Sequence, residues 1–587
     1  MKVEETFAQS PPPEVNPFTS DLVLPPLLKR LLPQSAFSDV SDDLSRFGAE
    51  IVSIVRSIGP LVQEPTLTQY DHWGRRVDLL QTSEGWRMLR DFTVREGVVA
   101  LAYQRRHGPY SRVHALAKAM LMVGDTHTIL CPFAMTDGSA RALELYGTPE
   151  MKRDYLTKLI SFDPKVAYTS GQWMTEKTGG SDVAGTETTA APATAGGARD
   201  VGPAYTLNGF KWFSSAAEGN MALALGRTED PSTKPGSRGL SLFLIPLRTP
   251  EYPRPLDNGV RIHRLKSKFG TKALPTAELS LDSTRGFLLG ERAHGVRCIA
   301  PLLNITRVYS AVTSVGCLQR ALSFPVNYAG LRTIAGGKQT LRDTPLYVSG
   351  LATAALTYRA LAHFAMHVVL LLGKTECGVA SEGEAATLRL LTPVAKAFAA
   401  ERAAPQIQAC MQAMGGQGYM EETGLARLVR DQLVETIWEG TSAVLAHDVM
   451  RASSGRDKPV QRFVEWAQNI LRAAPTSSAD AAAVHKLQET ISGLPSLFVK
   501  AQTNPLLPKA ILDTLGHVAA GVLLLEHAAW SRAENREESA ADAEAFRRWT
   551  LEEGPRDVGA LGAANVEARM RLDAALAFGQ QPGTAKL

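Results

Sequence analysis

The sequence predicts a mainly α protein with a central β domain and a C-terminal helical extension. Three observations predict it. Apolar residues recur at helical spacing through about 41–165 and again through about 291–452. Between them, about 166–290 breaks into short β-prone runs separated by Gly, Pro and Asn. A last segment, about 455–587, returns to helical spacing. At 587 residues the chain is too long for one hydrophobic core, which fits a division into several domains.

Each element follows in order. Residues 1–40 are proline-rich with little periodicity, and predict an extended arm. Their first part, MKVEETFAQSPPPEVNPF, lacks the apolar core of a secretory signal and the Arg-rich character of a transit peptide. DDLSRFGAEIVSIVRSIGPLV and VHALAKAMLMVGDTHTIL carry the first helical domain, with the serine of SDDLSR as a capping residue. AYTLNGFKWFSS, MALALGRT, LSLFLIPL and AELSLDS are the predicted strands, and the Ala/Gly-rich run from Thr189 to Pro203 is predicted as an exposed loop. YVSGLATAALTYRALAHFAMHVVLLLG is apolar on most faces, which predicts a helix deep in a bundle. ILDTLGHVAAGVLLLEHAAWSRAEN is the strongest element of the extension.

Bulk properties exclude some function classes. A net charge of +4 gives no strong field for polyanions. Five cysteines without a CxxC pair predict reduced thiols, not a disulfide framework. No apolar run reaches about 18 residues, so no membrane span is expected. The last residues, Ala585-Lys586-Leu587, are a close variant of the S-K-L address and carry the expectation of a peroxisomal location.

Four short segments carry chemistry. WMTEKTGGSD, from Trp173 to Asp182, puts hydroxyls and consecutive backbone N–H groups on a tight loop suited to a phosphate or the polar edge of a heterocycle. LNGFKWFSS, from Leu207 to Ser215, reads as a turn leading into a strand with Trp212 and Phe213. GGQGY, from Gly415 to Tyr419, lets a backbone approach a ligand closely. IWEGTS, from Ile437 to Ser442, sets an acid between bulky apolar residues and glycine, where desolvation would strengthen it as a base. Each has an ordinary alternative: a polar loop, a hairpin with core aromatics, a helix–helix turn, and a surface glutamate before a cap at Thr441 or Ser442.

Together and in this order, over about 50–452, the four segments resemble the acyl-CoA dehydrogenases. M-T-E-K-x-G-G-S-D-V, L-x-G-x-K-W-F-S, G-G-x-G-Y-x-E-E-x-x-x-x-R-L-x-R and I-W-E-G are similar to the AidB branch of that superfamily. The resemblance implies an N-terminal helical domain, a β-barrel-like middle domain and a C-terminal four-helix bundle. It implies FAD between the β domain and the bundle, with part of it meeting a second subunit, hence a homodimer or homotetramer. It places Met174, Thr175, Gly180 and Ser181 along the flavin cleft, Trp212 and Ser214 against the isoalloxazine ring, and Arg332 at the pyrophosphate. Gly415, Gly416, Gly418 and Thr441 become further FAD contacts. Glu439 becomes the catalytic base, and Trp173, Arg307, Tyr419 and Trp438 become substrate contacts.

The chain also departs from the family pattern. Trp173 replaces a small residue, Thr333-Ile334-Ala335-Gly336 lacks the aromatic near the adenine, and Ala443 replaces a glutamine. These departures leave the acyl-CoA substrate open. An acyl thioester dehydrogenase or oxidase, passing electrons to O₂ or to an electron-transfer partner, is the first expectation. A nitroalkane-oxidase-like or biosynthetic oxidase on a non-CoA substrate is an alternative. The AidB likeness also brings a DNA-binding alkylation-response flavoprotein, but residues 455–587 hold 15 Lys/Arg and 16 Asp/Glu, which argues against a nucleic-acid partner.

Overall fold

The computed structural model describes residues 12–194, 201–228, 235–248, 256–554 and 566–578. Ala585-Lys586-Leu587 lie outside the described residues. Contacts divide the chain into two compact units. The first is Met1–Tyr358, Leu372–Val379 and Ala399–Glu439; the second is Arg359–Leu371, Ala380–Phe398 and Gly440–Leu587. The units cut across the division at 452/455 read from the sequence, because stretches of two long helices group with the extension.

In the first unit the predicted extended arm is corrected. Helices α1 (Leu24–Leu31) and α2 (Gln34–Glu50) occupy much of it. Pro25 and Pro26 fall in the first turn of α1, where a missing N–H costs nothing, and Asp21 Oδ1 accepts from the backbone N–H of Val23 and Leu24. Leu24, Leu27 and Leu28 are fully buried, so the prolines start a core helix. Ser41 is not a cap either, because α2 starts seven residues earlier, after Pro33, and Ser41 lies inside it.

The helical domain also contains a hairpin, β1 (Thr66–Tyr70) and β2 (Arg76–Gln81). Helices α3 (Glu84–Arg95), α4 (Tyr110–Met122) and α5 (Leu130–Tyr146) follow. The turn between α4 and α5 holds His127 and Thr128 at φ 49° and 69°. Left-handed backbone at a β-branched residue is strained.

Seven strands then form one sheet: β3 (Ser170–Trp173), β4 (Thr189–Pro192), β5 (Ala204–Ser215), β6 (Met221–Thr228), β7 (Leu240–Pro246), β8 (Val260–Leu265) and β9 (Thr276–Leu289). The sheet closes on itself, since β6 pairs with both β4 and β7 while β9 pairs with both β5 and β7. Closure leaves few unpaired edges. The start of the predicted loop, Thr189–Pro192, is strand β4, paired to β5 and β6; residues 195–200 of that run lie outside the described residues.

Helix α6 (Gly295–Ala329) runs 35 residues and buries most of its length. Two further helices, α7 (Pro345–Glu376) and α8 (Glu382–Ala413), pass through both units, and α9 (Leu425–Leu433) returns to the first.

The second unit adds α10 (Ser442–Ser453), α11 (Pro459–Ala473), α12 (Ala481–Ala501), α13 (Leu507–Ala533), α14 (Ser539–Leu551) and α15 (Val566–Phe578). Phe398 meets Phe364 and Trp549 with ring centroids 6.4 and 6.2 Å apart, and Gly516 fits against the Phe398 ring, where a Cβ would lie 2.5 Å away. The expectation that no segment is long and apolar enough to span a membrane is corrected. Pro345–Glu376 and Leu507–Ala533 both qualify, and 83% and 89% of their apolar windows are buried inside the fold, as in core helices.

Candidate active site

The loop after β3 is fastened from within. Glu176, 5% exposed, accepts from Lys211 Nζ at 2.6 Å, from Thr188 Oγ1 at 2.5 Å and from the Glu187 backbone N–H at 2.6 Å. Burial alone would raise the Glu176 carboxyl, but the Lys211 ammonium holds it below the usual range. Lys211, fully buried, also donates to Leu225 O, and burial lowers its own ammonium. The acid of the WMTEKTGGSD segment is therefore an anchor that sets the path of the loop.

That path brings the first and second segments together. Trp212 N–H donates to Thr175 O at 2.9 Å, and a Cβ on Gly180 would sit 3.0 Å from Thr175 Oγ1. Ser181 is exposed. Between Lys211 and Ser214 the β5–β9 register shifts, which breaks the alternation. Lys211 and Ser214 both turn inward while Trp212 and Phe213 are presented outward, Phe213 at 55% exposure. Lys266 Nζ lies 3.2 Å from the centroid of the Trp212 ring. Ser214 Oγ is fully buried and makes no hydrogen bond among the described residues. It therefore faces the barrel interior, away from the surface that Trp212 and Phe213 present, and does not meet the expected place against a ring system there.

Two further placements differ from expectation. Trp173 is 1% exposed and belongs to the barrel core with Phe243, Ile245 and Leu279, its Nε1 donating to Ser215 O at 3.1 Å. It fills the inside of the sheet and is not placed as a substrate contact. Met174 packs in a second core cluster with Met221 and Leu223, so its side chain supports the loop instead of facing a ligand.

The surroundings of Glu439 are built from α6 and the segment after α9. Glu439 is half-buried, with φ 57°, and Gly440 follows at φ 102°. This left-handed pair turns the chain sharply before α10. Thr306 Oγ1, on α6, donates to Glu439 Oε2 at 2.7 Å. One turn further along α6, Ser310 Oγ donates to Glu435 Oε2, and the Trp438 indole N–H donates to the same oxygen at 2.6 Å. Arg307 is half-buried beside Thr306. Thr306, Ser310 and Glu435 were missed in the sequence. Their i,i+4 spacings are visible there, but pairings over more than a hundred residues are not.

Charged and nucleophilic groups from other elements act on this region. Burial raises the Cys131 thiol, at the start of α5, and the carboxylates of Glu435 and Glu439 raise it further against the opposing Lys268. Burial lowers the Lys268 ammonium to about 8, and its Nζ donates to the Thr271 and Leu274 carbonyls. Burial, with the Arg427 charge added, lowers the His127 imidazole to about 3.

The glycine segment lies on a separate open cavity of about 810 Å³, where Arg332 meets Gly415, Gly416 and Gln417. Gly415, at φ 61° and ψ −145°, has a backbone that only glycine adopts freely. A Cβ on Gly415 or Gly416 would meet nothing within 4 Å, whereas one on Gly418 would lie 2.1 Å from Met411 O. Gly418 therefore serves packing in its own chain. Tyr419 is 74% exposed and does not line this cavity. In the second unit Thr441 is exposed at the start of α10 without capping it, and Lys396 Nζ donates to Gly440 O at 2.7 Å.

Comparison with known proteins gives matches along the chain. Residues 9–164 match the N-terminal domain of adaptive response protein AidB, 171–284 the acyl-CoA dehydrogenase middle domain and 293–454 the acyl-CoA dehydrogenase C-terminal domain. Acyl-CoA dehydrogenase family member 11 of Caenorhabditis elegans is 37% identical over 564 residues, covering 93% of this chain and 89% of the relative. The putative acyl-CoA dehydrogenase AidB of Escherichia coli is 30% identical over 487 residues, covering 78% and 85%. The crystal structure of Caenorhabditis elegans ACDH-11 in complex with C11-CoA superposes with a TM-score of 0.89 at 36% identity, covering 99% of this chain and 98% of that one.

Proposed function

The chain belongs to the acyl-CoA dehydrogenase family of FAD-dependent oxidoreductases, and on that premise we propose that Glu439 is the base that removes the α-proton of an acyl thioester. The observation that carries this reading is the Glu439 carboxylate, half-buried on a left-handed turn and fixed by Thr306. A base must be aimed and partly shielded from water to take a proton from carbon. FAD, when bound, supplies the acceptor for the β-hydrogen and its electron pair, so that Cα–Cβ becomes a double bond. Trp212 and Phe213 provide an aromatic platform for its ring system. Arg332, Gly415 and Gly416 offer a cation and open backbone to its pyrophosphate. On the family resemblance the glycines do so for a second copy of the chain, which makes the working unit at least a dimer.

The substrate is a saturated acyl-CoA with a chain near eleven carbons, a reading supported by the structural relative bound to C11-CoA. The test is the visible spectrum of the purified protein before and after anaerobic addition of a chain-length series of acyl-CoAs. A yellow protein bleached by an acyl-CoA, with Glu439→Gln yellow but unbleached, is the expected result. Bleaching that persists in Glu439→Gln would remove the base assignment. A yellow protein that no acyl-CoA bleaches would remove the thioester. Reoxidation by O₂, compared with reoxidation by an electron-transfer protein, identifies the acceptor.

A further inference from the structure

A second carboxylate sits in the base loop. Glu435 is four residues before Glu439 and 2% exposed. Its Oε2 accepts from Ser310 Oγ and from the Trp438 indole N–H. Glu439 Oε2 accepts from Thr306 Oγ1. Thr306 and Ser310 are one turn apart on α6, so their side chains are roughly 5–6 Å apart on one face. Two acids on one loop are thus clamped by two hydroxyls on one helix, with Trp438 tied to the first acid and adjacent in sequence to the second.

We propose that Glu435 is a positioning residue for the base: it locks Trp438 and the left-handed turn at Glu439, and sets a second negative charge beside the group that must accept the proton. The inference rests on the reading of Glu439 as base. A buried acid is costly unless it is held, and here it is held by the residues that border the base. Like charges in a low-dielectric site increase each other's proton affinity. Cys131 on α5 lies within the fields of Glu435, Glu439 and Lys268, and Cys317 on α6 within those of Glu435, Asp431 and Arg427. Burial raises the Cys131 and Cys317 thiols, and the Glu435 charge adds to both. The thiols thus stay uncharged, and Lys268 is the cation that opposes Glu435 at Cys131.

The experiment is the pH profile of anaerobic flavin reduction by undecanoyl-CoA, measured on the full-length flavin-bound protein, Glu435→Gln, Ser310→Ala and Glu439→Gln. Glu435→Gln keeps the shape and the indole contact but removes the charge. Its acidic limb should move down by about one pH unit, with the maximal rate reduced and KM little changed. Ser310→Ala, which weakens the clamp without touching the acid, should move the limb in the same direction by less, and it carries the test if Glu435→Gln does not fold. A folded Glu435→Gln with an unshifted limb, whatever its melting temperature, overturns the proposal, as does an unshifted Ser310→Ala where that variant carries the test. Persistent bleaching in Glu439→Gln overturns the base reading and this inference with it. A dead Glu439→Gln beside an unshifted Glu435→Gln overturns the inference alone.

Discussion

The loop after β3 and the loop that leads to Glu439 each bury a carboxylate, and they hold it by different means. Glu176 is met by the ammonium of Lys211, which holds its carboxyl below the usual range. Glu435 accepts hydrogen bonds from Ser310 and Trp438, and Glu439 accepts one from Thr306. A cation at contact distance fixes an acid as a permanent anion, which suits an anchor. Neutral donors orient an acid while leaving it able to take a proton, which suits a base.

This contrast can be broken or sharpened by substitution. The largest effect is expected from Glu439→Gln, which should slow flavin reduction by on the order of 10²- to 10⁴-fold, as loss of a general base does, with the melting temperature nearly unchanged. Rapid-mixing absorbance at the flavin band measures it. Lys211→Met should do the reverse. It leaves Glu176 buried without its cation, and denaturant unfolding should show a loss of about 3–5 kcal/mol, while the pH profile of flavin reduction in the folded fraction stays in place. A shifted profile in Lys211→Met would erase the distinction between the two loops.

Thr306→Val gives a smaller effect with a diagnostic sign. Its hydroxyl favours the charged form of Glu439, so its removal should move the acidic limb of the rate profile up and cut the rate about tenfold. That is opposite in direction to Glu435→Gln, and equal directions would mean that both act only by loosening the loop.

The smallest effect concerns an anchor in the helical domain. Burial would raise the Asp43 carboxyl, but hydrogen bonds from His114, Lys118 and Arg46 hold it well below the usual range. A carboxyl lowered in the folded state adds stability above its unfolded value near 4 and loses it as pH falls toward the folded value. Asp43→Asn should therefore lower stability by about 1 kcal/mol at neutral pH and by progressively less below about pH 4, as read from melting temperatures across that range.

Much of the fold was legible because the signals were local. The change from helical to alternating spacing near 166 and back near 290 locates the barrel, whose strands run from Ser170 to Leu289. The arm at 1–40 was misread because proline density suggests extended chain, yet Pro25 and Pro26 occupy the one part of a helix that accepts proline, and Leu24, Leu27 and Leu28 supply the buried face. The candidate site was legible as four segments. What each side chain does was less so: Trp173 turned into the barrel, Gly418 against Met411 and Glu176 onto Lys211.

By itself the sequence determined the family, the order of helical and β regions, and the acid at 439, since these rest on residue identity, periodicity and spacing along the chain. Tertiary structure decided that β6 closes the barrel by pairing with both β4 and β7, that a register shift turns Ser214 inward, and that Thr306 and Ser310 reach two acids more than a hundred residues away. The physical reason is that periodicity is a property of neighbours along the chain. The partner of a buried polar group is chosen by the packing of distant elements, where desolvation makes an unmade hydrogen bond costly and leaves one arrangement that satisfies it.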